Sequence, residues 1–308
     1  MKKYNRTKTA CYLGFITQAI TANFVPLLFL TFHRDYGISF ERLAMISAVF
    51  FITQLIVDFL CVKLADKIGY RRSIIIAEVA AGAGLILLSF LPDILPDRYL
   101  GILICTIIYA IGSGLIEVLC SPIIEACPFD IMAGMMSLLH SFYCWGSVAV
   151  VLISTLFFNL AGIGRWRIMA VIWALVPLFN VLNFAVCPIL PINEEDSEGM
   201  KLTALLKNKL FWLFVVLMIC AGACELAMAQ WASTFVESAL GVSKSIGDLA
   251  GPCLFAVFMG ISRVLYSKYG EKRDLTVFLL ISGVLCLISY LLAALSDLSI
   301  IGLAGCVL

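Results

Sequence analysis

A helix that crosses the roughly 30 Å hydrocarbon core of a bilayer needs about 20 mostly apolar residues, at ~1.5 Å of rise per residue. Nine segments of this sequence qualify, near residues 10–32, 42–62, 73–91, 99–121, 131–160, 166–190, 210–236, 246–267 and 275–295. Short polar connectors such as HRDYGISFER, LADKIGYRR, LPDILPDR, GIGRWR and KYGEKRD punctuate them. Only 13% of the residues are charged, too few to clothe a water-facing surface, and 62% are hydrophobic. Composition therefore excludes a disordered chain and a secreted disulfide scaffold and argues against a soluble enzyme. The expected fold is an all-α membrane protein, its surface facing lipid or other helices.

The net charge of +1 provides no basic footprint for nucleic acid. Of twelve cysteines, Cys11, Cys105, Cys144, Cys220, Cys224, Cys253 and Cys286 lie inside apolar runs, where a free Cys behaves as a small hydrophobe. Cys220 and Cys224 stand one helical turn apart with no second pair nearby, so neither a metal site nor a cofactor is expected. The start, MKKYNRTK, is basic as in a signal peptide. The apolar run behind it is too long, lacks a small-residue cleavage site and is followed by many more, so it reads as a first span that stays. With that terminus in the cytoplasm, fourteen of the 21 Lys and Arg fall on the cytoplasmic side and six outside, while Arg263 lies within the eighth segment. The expected location is the inner, cytoplasmic membrane, multi-pass, N-terminus inside, as a monomer.

Two stretches about 200 residues apart repeat. Gly37-Ile38-Ser39 opens the second span and Gly241-Val242-Ser243 the eighth; LADKIGYRR (64–72) and LYSKYGEKR (265–273) close them. Both spans run the same way, so six helices make one repeat and the repeats are parallel, a recurring transporter design. The charged stretch 191–209 divides residues 1–190, one six-helix half, from residues 210–308, an incomplete second half. Ser299 to Leu308 is apolar but short, the start of a tenth helix. The expectation is of nine full helices plus part of a tenth, truncated at the C-terminus, and of a fragment that does not transport alone.

These features resemble the major facilitator superfamily. Its signature after the second helix, G-x-L-A-D-R-x-G-R-R, is matched by Leu64, Ala65, Asp66, Gly69 and Arg71, with Lys67 keeping the charge and Val62 and Tyr70 departing. The closer resemblance is to the fucose permease-like branch of proton-coupled sugar symporters. That branch has G-x-G-x-x-E-x-x-x-N-P in its fourth helix; here Gly112, Gly114, Glu117 and Pro122 match and Ser121 replaces Asn. Its H-x-F-[YF]-G-x-G is met by His140, Phe142, Tyr143 and Gly146, its Glu six residues before a Trp by Glu225 and Trp231, and its G-R by Ser262-Arg263.

An ionisable side chain inside a membrane helix costs about 2.5–3.5 kcal/mol and usually faces a cavity or partner. Glu117, with Ser113 and Ser121 one turn to either side, is either a proton carrier or a structural hydrogen-bonding group. Ser137, His140, Tyr143, Cys144 and Ser147 make a polar face on the fifth span; His140 binds substrate, relays protons or is structurally satisfied. Glu225 is the second proton-coupling candidate, and Trp231 stacks on a solute, plugs a gate or belongs to an interfacial belt. Gln18, Asn23, Gln54, Asp58, Ser121, His140, Tyr143, Gln230 and Trp231 are the substrate-binding candidates, although Gln18 and Asn23 share the cavity only if Pro26 makes the first helix irregular. Glu78 and Arg263, near helix ends, are expected to snorkel. Asp66, Gly69, Arg71 and Arg72 are gating candidates, plain positive-inside charge being the alternative.

Together with the resemblance, these residues imply a secondary transporter moving a small polar solute, a sugar fitting best, by proton-coupled alternating access. Its partners are the solute, the proton and the bilayer. Proton-coupled efflux of cationic or drug-like compounds and a non-transporting sensor on the same fold are the alternatives. An enzyme is not expected, since neither H-E-x-x-H nor G-x-S-x-G occurs.

Overall fold

The computed structural model describes residues 4–128, 132–190, 202–239, 241–269, 275–295 and 299–307. For residues 62–66, 132–134, 137, 202–203, 239, 266–269, 275 and 299–300 it describes the backbone alone. Among these residues the regular structure is helical throughout. The first span is α1 (Asn5–Asn23), a 3-10 turn (Pro26–Leu28) and α2 (Phe29–Tyr36). Pro26 has no N–H to donate, and the α-helical ladder breaks there. The break follows Asn23, so α1 is regular from Gln18 to Asn23 and only Gln18 of the two lines the cavity described below.

The chain continues through α3 (Phe40–Ile68), α4 (Tyr70–Leu88), α5 (Leu91–Ile94), α6 (Arg98–Glu125), α7 (Met132–Ala161) and α8 (Trp166–Val186). Beyond the expected linker, whose residues 191–201 lie outside the described ones, come α9 (Leu202–Leu205) and α10 (Lys209–Ala239). The eighth span is α11 (Lys244–Asp248), a π-turn (Leu249–Cys253) around Pro252, and α12 (Leu254–Tyr269). Last are α13 (Leu275–Leu295) and α14 (Ser299–Val307). Eight spans among the described residues are long and apolar enough to cross a membrane. The remaining expected one is α4, only 19 residues long and carrying Arg71, Arg72 and Glu78.

The repeat is visible in the backbone. Gly37 and Gly241 take φ values of 66° and 65°, in the left-handed region where a side chain is strained. The next amide in each case reaches back six residues: Ile38 N–H to the Phe32 carbonyl and Val242 N–H to the Val236 carbonyl, both 3.5 Å. This is the same helix-ending motif used twice, before α3 and before α11. In the closing arm of the second copy, residues 270–274 lie outside the described ones.

Packing makes α1 the central helix. It runs against α6, α7 and α8, and 89% of its apolar window is buried. α4 is clasped between α6 and α8, where Gly112 is required: a Cβ there would stand 2.5 Å from the Ala77 carbonyl oxygen. By contrast α10 and α13 leave nearly all their apolar windows exposed, surfaces suited to lipid.

One expectation is corrected here. Glu78 does not snorkel; it is completely buried. Its two oxygens accept hydrogen bonds from Thr17 Oγ1 (3.0 Å) on α1 and Asn180 Nδ2 (2.7 Å) on α8. Asn180 Nδ2 also donates to the Ala10 carbonyl (2.9 Å), so one buried network ties α1, α4 and α8 together. The reason is steric: Ala77, Ala81, Gly82 and Gly84 make this face of α4 small enough for neighbouring helices to enclose the carboxyl.

Candidate functional site

The breadth of the gap between α1, α3, α6 and α7 on one side and α10 and α12 on the other leaves a cavity of about 360 Å³. α1 presents Phe15, Gln18 and Ala22 to it, spaced three and four apart along one face. The opposite face of α1 carries Thr17 toward Glu78, so the buried network sets how far Gln18 reaches. α3 contributes Gln54, Leu55 and Asp58, and α7 contributes His140 and Tyr143.

Glu117 of α6 is the centre of this wall. Its Oε2 accepts from Gln18 Nε2 (2.9 Å) and Gln54 Nε2 (2.8 Å), two amides from two other helices. Gln54 also donates to Ser113 Oγ at 3.5 Å. Ile116 and Leu119, on either side of Glu117, are buried, whereas Glu117 itself is exposed to the cavity. Gly114 lets this turn of α6 approach α3: a Cβ there would lie 3.2 Å from Gln54 and 3.3 Å from Asp58. The ring of His140 meets Phe15 edge-on at 5.1 Å.

The opposite wall holds Glu225, Leu226 and Arg263. Arg263 is the second correction. It does not leave for an interface but lines the cavity, with its Nη2 3.8 Å from Glu225 Oε1. The pair is longer than a hydrogen bond, and each side chain stays more than a third exposed, at 37% and 38%. Two helices must meet before this pairing exists, and no spacing within either helix announces it. Among the described residues the cavity thus carries Asp58, Glu117 and Glu225 against one guanidinium.

Four of the substrate-binding candidates lie off this wall. Gln230 Nε2 donates to the Ala22 carbonyl (2.7 Å), and its Oε1 accepts from Ser47 Oγ (3.1 Å). Trp231 packs on Phe29 with ring centroids 5.3 Å apart. Asn23 donates to Ala19 O (2.9 Å) and to Ser147 Oγ (3.0 Å). These three join α1, α2, α3, α7 and α10 beyond one end of the cavity. Ser121 is half-buried, one turn past Glu117 on α6, and does not line the cavity.

The gating candidates gather at the turn from α3 to α4. Gly69 makes it alone, at φ 90°. Arg71 Nη1 donates to the Phe184 (2.7 Å) and Ala185 (2.9 Å) carbonyls and its Nη2 to Cys187 O (2.7 Å), capping the C-terminal end of α8. Arg72 is exposed. The side chain of Asp66, like that of Ser137, lies outside the described residues.

The sequence profile of the Major Facilitator Superfamily matches residues 10–308. The chain belongs to that superfamily. Membership makes it a transporter rather than an enzyme, and the helices above make it a multi-pass membrane protein. A crystal structure of a D-xylose-proton symporter is similar in fold, with TM-score 0.70 at 18% identity, covering 98% of this chain and 77% of that one. So is the xylose transporter XylE from E. coli in a partially occluded inward-open conformation, with TM-score 0.71 at 17% identity, covering 99% and 83%. Comparison with curated proteins returned no match. In this major facilitator chain the cavity lies between α1, α3, α6 and α7 on one side and α10 and α12 on the other.

Proposed function

We propose that this chain is a proton-coupled symporter that moves a small polar solute, a sugar fitting best, across the cytoplasmic membrane. Residues 1–190 and 210–308 are its two halves, joined by the linker 191–209, with the N-terminus cytoplasmic and the protein monomeric. Access to the cavity alternates as the halves rock.

The observation that carries this reading is Glu117. It is a carboxyl exposed to a cavity inside the membrane, held by two neutral amides rather than by a cation. Such a group can take up a proton from whichever side reaches it without first breaking an ion pair. Glu225 is the second proton-coupling residue, with Arg263 beside it to hold its charge when the proton leaves.

Two atoms of the wall speak for the solute. Gln18 Oε1 and Asp58 Oδ1 are buried and have no hydrogen-bond partner among the described residues, and both accept. A solute rich in hydroxyl donors completes them, with Gln54, His140 and Tyr143 around it. Gln230, Trp231 and Asn23 cap the site, Ser121 extends the polar face of α6, and Asp66, Gly69, Arg71 and Arg72 act at the opposite gate. The resemblance to the fucose permease-like branch and the xylose symporters of similar fold point the same way.

The test uses the full-length protein reconstituted in liposomes with labelled D-xylose and fucose. Uptake above equilibrium is expected only when the outside is more acidic, and Glu117→Gln should exchange solute but no longer accumulate it. Uptake indifferent to the gradient and unchanged in Glu117→Gln would overturn the reading. The second reading, a cationic solute, is favoured by the excess of three carboxylates over one guanidinium. Competition by an organic cation, with none by sugars, would establish it instead.

A further inference from the structure

One carboxylate of the cavity has no task in the cycle above. Glu117 is held by the Gln18 and Gln54 amides, and Glu225 stands beside Arg263. Asp58 has neither kind of support. Among the described residues no cation pairs with it, and its Oδ1 is buried without a hydrogen-bond partner. Gly114, the residue of α6 beside that oxygen, has no side chain to supply a donor, and a Cβ there would lie 3.3 Å away.

A second atom on the same wall is in the same condition. Gln18 is only 7% exposed and lines the cavity. Its amide nitrogen is engaged by Glu117, and its Oε1 is buried and unpartnered. The Gln18 and Gln54 donors are thus turned toward Glu117, and the wall offers a solute acceptor oxygens. A hydroxyl meets such a wall imperfectly, since its own lone pairs call for donors. An ammonium carries three donors and no acceptor.

Charge favours the same group. With the proton on Glu117, His140 neutral and Glu225 beside Arg263, Asp58 leaves one negative charge in excess among the described residues of the cavity. Closing the cavity buries that charge, and a buried charge without a partner is costly. A solute bringing one positive charge makes the loaded cavity neutral. The volume of about 360 Å³ lies toward the low end of small-molecule sites, roughly 300–1,000 Å³, and suits a single ring. Tyr143 and Arg263 carry donors for ring hydroxyls, and Phe15 and Phe51 offer apolar surface.

We propose that the solute is an amino sugar, a single ring whose ammonium meets Asp58 with Gln18 Oε1 accepting alongside. The inference rests on the proton-symport reading above and narrows its solute.

Isothermal titration calorimetry of the full-length protein in mild detergent tests it with D-glucosamine, D-galactosamine and D-mannosamine, each beside its parent hexose and its N-acetyl derivative. Members of a set share one ring, and only the amine carries the charge. At least one amine is expected to bind about tenfold tighter than its parent, because hydrogen bonds to charged groups are the stronger ones. N-acetylation should abolish the advantage. Asp58→Asn should bring the ratio of amine to parent affinity to near one, and Asp58→Glu should keep it well above one. Should Asp58→Asn fail to fold, the N-acetyl comparison in the native protein still decides. Parents that bind as tightly as their amines overturn the amino sugar and leave proton symport standing. Sodium-dependent binding of a parent with no preference for its amine does the same, and assigns Asp58 to a metal ion. An amine preference that persists in Asp58→Asn overturns the role given to Asp58. Binding by no member of any set removes the inference, and the liposome assay with D-xylose and fucose shows separately whether symport falls with it.

Discussion

Glu78 offers the sharpest check on how this fold is held together. It is fully buried, and its two described partners are neutral: the Thr17 hydroxyl and the Asn180 amide. If hydrogen bonding rather than charge gives the side chain its worth, Glu78→Gln should be nearly silent. Gln keeps the volume, its oxygen still accepts from Asn180, and its amide can donate to the Thr17 oxygen. It also removes any cost of holding a charge in an apolar junction. Glu78→Ala removes one buried methylene, at about 0.8 kcal/mol, and two hydrogen bonds at about 1 kcal/mol each, for a loss of about 3 kcal/mol. At about 2–4 °C per kcal/mol for a chain of this order of size, the unfolding midpoint should fall by about 6–12 °C in the Ala variant and by less than about 3 °C in the Gln variant. The chain carries its own reporter, because nine of its twelve cysteines are buried. A thiol-reactive fluorophore added to the protein in mild detergent reads their exposure on heating. A Gln variant as unstable as the Ala variant would refute the reasoning, since the charge itself would then be indispensable. Asn180→Ala, which cuts the bonds to both Glu78 and Ala10, should fall at least as far as Glu78→Ala.

Three further outcomes follow from the same contacts. Gly112→Ala forces a methyl against the Ala77 carbonyl, and thermal unfolding should show a loss of about 1–3 kcal/mol from overpacking. Arg71→Lys replaces a fork that serves three carbonyls with a single ammonium, and should lower stability by about 1–3 kcal/mol in the same assay, with Arg71→Ala lower still. Arg263→Gln removes the one cation among the described residues of the cavity; if the second reading is correct, binding of an organic cation should tighten, and if a neutral sugar is the solute its apparent affinity should change little.

Much of the fold can be read from the chain because a membrane span is a long, crude signal. Twenty apolar residues bounded by charges place α3, α6 and α13 to within a few residues, and the paired Gly37 and Gly241 announce the repeat through a backbone angle that favours glycine. The site is partly legible for a related reason: Gln18, Gln54, Asp58, Glu117 and Glu225 are polar where lipid would penalise them. What single spans cannot reveal is which neighbour a side chain meets. Glu78 and Arg263 stand at similar depths from their helix ends, yet one is sealed behind α1 and the other faces the cavity. A clue for Glu78 lay in the small residues around it, Ala77, Ala81, Gly82 and Gly84, a face too fine for lipid tails and suited to close helix packing.

The two walls of the cavity differ in how firmly they are built, and that difference bears on how a solute is recognised. On the α1–α3–α6 wall, Glu117 is fixed by two amides, Gln18 is positioned from behind through Thr17 and Glu78, and α6 is locked to α4 at Gly112. A wall prepared in this way loses little side-chain freedom when a solute arrives, so its hydrogen bonds convert more fully into affinity and selectivity. Across from it, Glu225 and Arg263 stand 3.8 Å apart and partly exposed, a pairing whose exposed attraction contributes about 0–1 kcal/mol. They can rearrange around a solute, or separate, at small cost. On the proposed reading, recognition belongs to the first wall and response to the second: a solute seated on Gln18, Asp58 and Glu117 would draw Glu225 and Arg263 toward it.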